Sequence, residues 1–259
     1  MVKLHYRKYG SGPPLIILHG LFGSSDNWHT LAKRWGTSFT VYALDQRNHG
    51  SSPHESAMDY TEMAQDLDQF IEQQRLGMVY IVGHSMGGKV ALLQASLHPD
   101  KVAGLVILDI GVGRVAGQHL AILGALKTMD PGDYSSRQEI QEALETFIKI
   151  APIRQFLLKN IMRRVDDSFA WKFNHSALIE HYEDLIAALD LQDLFMGPVL
   201  FLRGADSSYL DPDLTPDILQ YFPLAQLATI EHAGHWLHAE QPDQVFSSVQ
   251  DFFIGGPFS

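Results

Sequence analysis

Four short, continuously apolar runs, at residues 15–18, 39–44, 79–82 and 105–108, constrain this chain more than any other feature. Runs of that length suit strands buried on both faces, the condition of a parallel sheet. Between the second and third runs Tyr60, Met63, Ala64, Leu67, Phe70 and Ile71 recur at helical spacing, and Asp59 with Glu62 offers a helix-start cap. Residues 1–10 alternate apolar and polar like a further strand. Beyond residue 110 the strand signals stop, and roughly 85 residues read as helices and loops, with a capping-box candidate at Ser136 and Glu139 and Pro152 opening the segment IRQFLLKN. Strand signals return at residues 199–202 and near 227–230. A closing helix follows, carrying Val245, Phe246, Val249, Phe252 and Phe253. The pattern predicts an α/β fold: a mostly parallel sheet flanked by helices, built from residues 1–110 and 196–259, with a helical cap inserted at 111–195.

Composition excludes several classes of function. At 259 residues and 46% hydrophobic, the chain can close one large core, or one core with an inserted subdomain. A net charge of −11 argues against a nucleic-acid or anionic-membrane partner, since neither counterion release nor polybasic attraction is available to the molecule as a whole. With no cysteine there is no disulfide, no thiolate metal site and no thiol nucleophile. No cluster of acids and histidines stands at metal-ligand spacing, so no metal is expected. The amino terminus lacks an apolar signal core and no run is long enough to span a bilayer, which leads to the expectation of a soluble cytoplasmic protein. Nothing in the sequence fixes an oligomeric state.

The chemistry centres on Gly83-His84-Ser85-Met86-Gly87, lying where the third apolar run hands over to a helical run. A serine on such a tight turn projects its hydroxyl, and small residues two before and two after it let strand and helix backbones pass closely. The pentapeptide alone arises by chance in roughly one chain in ten of this length. Its flanks, VYIV and KVALLQASL, supply the strand and helix that a chance match lacks.

Ser85 needs a base to accept its proton as it attacks, and histidine suits that task near neutrality. Of thirteen histidines, His235 is the candidate: it follows Gly234 in IEHAGHWLHAEQPD, a loop between a strand end and the last helix, in the chain order serine, acid, histidine. His232 and His238 read as loop residues. An oxyanion hole is the second requirement. The segment HGLFGSSDNW after the first apolar run, together with the start of the nucleophile helix, nominates the backbone amides of Leu21 and Met86, with His19 bracing the loop.

Taken jointly, HGLFGSSDNW, DQRNHGSSP, GHSMGGK, LDI, IRQFLLKN and AGHWLHAEQPD resemble the serine esterases of the α/β-hydrolase superfamily, most closely the short-chain carboxylesterases of the YbfF type. The resemblance covers both the sheet and the cap, which in that family is inserted after the sixth strand. It implies Ser85 as nucleophile, His235 as base, an oxyanion hole at Leu21 and Met86, no cofactor, and hydrolysis of small acyl esters or thioesters. Asp45 and Arg47 match a family loop and read as structural supports.

The acid departs from the commonest pattern of the fold, because the usual place after the strand at 199–202 holds Ser207, with Asp206 one residue early. Asp109, ending the preceding strand, is the stronger candidate and resembles the acid of the YbfF-type enzymes. Asp206 stays open as the alternative, and Ser207 as an added hydrogen-bond donor. A serine at the elbow argues against the dehalogenase and epoxide-hydrolase chemistries of this fold, which use aspartate. Lactonase, cofactor-free peroxidase and carbon–carbon hydrolase chemistry, or a small-ligand binding protein on a hydrolase scaffold, remain the alternatives to an esterase. In the cap, Lys149, Arg154, Lys159, Arg163, Arg164 and Lys172 face only Asp166 and Asp167 within residues 149–172. That run reads either as a solvated helix face or as a basic rim for an anionic leaving group such as that of an acyl-CoA.

Overall fold

The apolar runs become neighbouring strands of one seven-stranded sheet in the computed structural model, which describes residues 1–117 and 119–255. The first half of the chain runs β1 (Tyr6–Tyr9), β2 (Pro14–Leu18), α1 (His29–Trp35), β3 (Thr40–Leu44), α2 (Tyr60–Gln74), β4 (Val79–His84), α3 (Met86–Leu97) and β5 (Val102–Leu108). There follow α4 (Leu120–Thr128), α5 (Arg137–Phe147), α6 (Ala151–Lys159), two short strands β6 (Ile161–Arg163) and β7 (Phe169–Trp171), α7 (His175–Glu180) and α8 (Tyr182–Ile186). The chain then returns to the sheet through β8 (Val199–Gly204), α9 (Thr215–Tyr221), β9 (Ala225–Ile230), α10 (Leu237–Glu240) and α11 (Pro242–Ile254). Strand order is β1-β3-β2-β4-β5-β8-β9, and every pairing is parallel except β1 with β3.

Alternation along each strand sends side chains to two packed layers. Ile16 and Leu18 join Ile81, Ile107, Leu67 and Val90 on one face, while Leu15 and Ile17 join Trp28, Trp35, Val82 and Val249 on the other. The first of these layers continues without a break into Ile122, Leu144, Leu157 and Phe173, so the residues between β5 and β8 share the core of the sheet. Asp59 Oδ1 caps α2 by accepting from Glu62 N–H at 2.8 Å.

Two details differ from the sequence reading. Strands do not stop after residue 110: β6 and β7 pair antiparallel, Ile161 opposite Trp171 and Arg163 opposite Phe169. Three residues are too few to show period-two alternation, which hid them. The edge strand β9 begins at Ala225, with its residues 226–229 exposed, so it carries no buried apolar run to announce it.

Lys89, one turn into α3, ties the two connectors between the sheet and the inserted residues. Its side chain is fully buried, and Nζ donates to Gly113 O at 2.8 Å and to Ala187 O. Burial, and secondarily Arg114, lowers its pKa to about 8. The same connectors are stitched by Val115 N–H to Ile186 O and Leu189 N–H to Val112 O, at 2.8 and 2.9 Å. No helix among the described residues is long and apolar enough to cross a membrane.

Candidate active site

Ser85 stands between β4 and α3 with φ 51° and ψ −119°, a backbone conformation that costs an L-residue about 1–3 kcal/mol. Neighbouring strands hold it there: its N–H donates to Leu108 O at 3.0 Å, and its carbonyl accepts from Gly88 and Lys89. A Cβ on Gly83 would lie 2.5 Å from Gly87 O, and one on Gly87 2.5 Å from Leu18 O. Only glycine fits either place.

Asp109 takes up a second left-handed conformation, φ 53°, directly after β5, where its N–H still bonds to Leu202 O at 2.8 Å. Its carboxylate is wholly buried. Oδ1 accepts from Gly204 N–H at 3.1 Å; Oδ2 accepts from the Ser207 hydroxyl and lies 2.8 Å from His235 Nδ1. A carboxylate accepts there, so Nδ1 carries the proton and the lone pair of the neutral imidazole is on Nε2. The His235 carbonyl accepts from His84 Nε2 at 2.8 Å, and the Tyr209 ring stacks on the imidazole with centroids 3.5 Å apart. Asp206, by contrast, has an exposed side chain, and its N–H bonds to Ala233 O at 2.9 Å. The structure thus gathers Asp109, Ser207 and His235.

Leu21 and Met86 line, with Ser85, a cavity of about 20 Å³. Met86 opens α3, where N–H groups have no acceptor within the helix. Beside Leu21 the amides are taken, Phe22 N–H by His49 Nε2 at 3.2 Å and Gly23 N–H by Gly20 O at 2.9 Å. His19 braces the same loop, accepting from Gln46 N–H at Nε2 and donating from Nδ1 to Gly20 O. Asp45 receives Ser25 and Ser51 N–H, and Arg47 pairs with Asp66 and Glu62. Both charged residues therefore support loops, as the sequence suggests. His232 presents its carbonyl to Gln241, and His238 stacks on Trp28 at 4.4 Å. Much of the cap's basic run is paired within the protein: Arg154 with Glu145, Arg163 with Asp167, Lys172 with Asp26.

Three residues at this site carry no signal in the sequence. Tyr209 OH contacts His119 Nε2 at 3.3 Å, and His119 Nδ1 contacts Tyr182 OH at 3.1 Å, so three distant segments meet beside His235. Neither periodicity nor a motif marks them. Tyr209 follows Ser207 by two residues, which is the only hint that it accompanies the acid's hydroxyl partner.

Burial keeps several of these histidines neutral. It pushes His49 down to about 3, helped by His19, and His238 to about 3, helped by His235. A histidine with a folded pKa below its unfolded value near 6.5 contributes stability that is complete above that value and is lost as pH falls toward the folded pKa. Between pH 6.5 and 5 each of the two gives up about 2 kcal/mol. Together that is a large part of a typical stability of about 5–15 kcal/mol. Urea midpoints are expected to fall steeply over this interval; a flat profile contradicts neutral burial.

The chain is similar to known proteins over most of its length. A family described as the alpha/beta hydrolase fold matches residues 13–133. The sn-1-specific diacylglycerol lipase ABHD11 of Mus musculus is 38% identical over 248 residues, which cover 93% of this chain and 80% of that protein. Esterase YbfF of Escherichia coli strain K12 is 33% identical over 240 residues, 92% of each chain. A solved marine microorganism esterase superposes with a TM-score of 0.95 at 42% identity, covering 97% of this chain and all of its own.

Proposed function

We propose, since the chain belongs to the α/β-hydrolase family and relatives matched over nearly its whole length include esterases and a lipase, that it cleaves small carboxylic esters through an acyl-enzyme. In this reading Ser85 is the nucleophile, His235 the general base, Asp109 the acid that orients His235, and the amides of Leu21 and Met86 the oxyanion hole. Residues 111–195 form the cap over a core of 1–110 and 196–259; Gln118 and residues 256–259, within those bounds, lie outside the described residues.

The observation that carries the reading is the 2.8 Å contact between buried Asp109 Oδ2 and His235 Nδ1, beside a serine on a strained strand-to-helix turn. Ser85 Oγ attacks the ester carbonyl while His235 Nε2 takes its proton, and the negative charge forms on the carbonyl oxygen facing the two amides. Collapse expels the alcohol, which receives the proton from His235. Water, deprotonated by His235, then attacks the acyl-enzyme and releases the acid and Ser85. Acyl thioesters pass through the same steps, with a thiol as leaving group.

A fluorophosphonate probe tests this directly, since it phosphonylates only a serine activated in this way. Labelling is expected at Ser85 together with turnover of p-nitrophenyl acetate. Neither would be seen if the scaffold merely bound a ligand.

A further inference from the structure

Two cavities meet at the candidate site and share one pair of lining side chains. Tyr209 and His119 line both the volume of about 20 Å³ against Ser85 and a cleft of about 280 Å³ on the other side. Ser85 lines the first and His235 the second. We propose that this partition sorts the substrate, the inner cavity taking an acyl group no larger than acetyl and the outer cleft taking a neutral, apolar alcohol.

The assignment rests on the ester-hydrolase reading and follows from where the bonds break. The acyl carbon is bonded to Ser85 in the intermediate, so its substituent occupies the volume beside Ser85. About 20 Å³ admits about one group the size of water or a methyl. Part of the wall of that volume stands on anchored backbone. Leu185 and Ile186 are held by their carbonyls, which accept from Tyr60 OH at 2.6 Å and Val115 N–H at 2.8 Å. Lys89 grips the flanking carbonyls of Gly113 and Ala187 from beneath. A longer acyl chain has to displace side chains seated on that backbone, and overpacking a filled site costs about 1–3 kcal/mol.

The leaving oxygen receives its proton from His235, so the alcohol departs on the side His235 borders. There Ile122, Ile150, Ile153 and Trp236 supply an apolar lining. Asp206 is the charged residue at this cleft, and no lysine or arginine lines it among the described residues. A polyanionic leaving group meets a carboxylate and no cation. Lys159, from the cap's basic run, borders a different groove, together with Asp26 and Glu240.

Initial rates over two series of esters test the partition. Among p-nitrophenyl acetate, butyrate and hexanoate, kcat/KM is expected to fall by at least about tenfold from acetate to butyrate, the scale on which a filled pocket rejects added methylenes. Among acetates, benzyl is expected to exceed ethyl, and neutral S-benzyl thioacetate to exceed acetyl-CoA. Leu185→Ala should raise butyrate relative to acetate, and Trp236→Ala should erase the benzyl preference. A wild-type enzyme that hydrolyses hexanoate as well as acetate, or acetyl-CoA better than the neutral thioester, overturns the partition while leaving the hydrolase intact. Loss of all ester turnover in the wild type overturns the hydrolase reading and the partition with it.

Discussion

Ser85→Ala is expected to lower turnover of p-nitrophenyl acetate by up to about a millionfold, the scale seen when a nucleophile that acts as one unit with its base is removed. The same change should leave the fold almost untouched. Ser85 makes no side-chain capping bond to α3, and the strained φ of 51° belongs to the backbone, which alanine retains. Urea midpoints of the two proteins are therefore expected to agree closely, separating loss of chemistry from loss of structure. Fluorophosphonate labelling should disappear with the hydroxyl. EDTA should leave wild-type rates unchanged, since every step above is assigned to protein groups alone. Activity that survives Ser85→Ala but vanishes in EDTA would remove serine from the mechanism.

How much of this was legible beforehand depends on the range of each interaction. The strands of the sheet's centre announced themselves because parallel strands covered on both faces must be apolar at successive positions. The edge strand β9, with its residues 226–229 exposed, faces no such demand and showed only its end. Caps are local and were half readable. Ser136 accepts from Glu139 N–H as expected, but the Glu139 carboxylate turns to Ser135 N–H at 2.8 Å, so the box is offset by one residue.

The candidate site divides in the same way. The Ser85 turn is written in five contiguous residues whose glycines answer contacts of 2.5 Å. His235 could be chosen from its place between a strand and the last helix. The Tyr209–His119–Tyr182 contacts join residues 63 and 90 positions apart on segments without a shared pattern, and only the folded chain brings them together. The basic run in the cap is the converse case. Its charge is conspicuous in sequence, yet Glu145, Asp167 and Asp26 supply counter-charges from within and outside the run.

Asp109→Asn and Asp206→Asn should separate by about a thousandfold. Asp109 Oδ2 accepts from His235 Nδ1–H, which keeps the Nε2 lone pair available and stabilises the imidazolium formed during attack. Asparagine can still accept from Gly204 N–H at one atom, but it then turns an N–H₂ toward His235. The imidazole answers by moving its proton to Nε2, the wrong tautomer for a base, and such a change can cost about ten-thousandfold in kcat. The KM should change little, because the carboxylate lies behind the imidazole. Asp206 is exposed and its N–H is bound to Ala233 O, so Asp206→Asn is expected to lose less than about tenfold. Near-UV circular dichroism confirms folding of each variant before kcat is compared. If the folded Asp206→Asn protein proved the more damaged, the orienting acid would move to the loop after β8, and the buried carboxylate of Asp109 would be left with a purely structural task, joining Gly204 and Ser207 beneath the site.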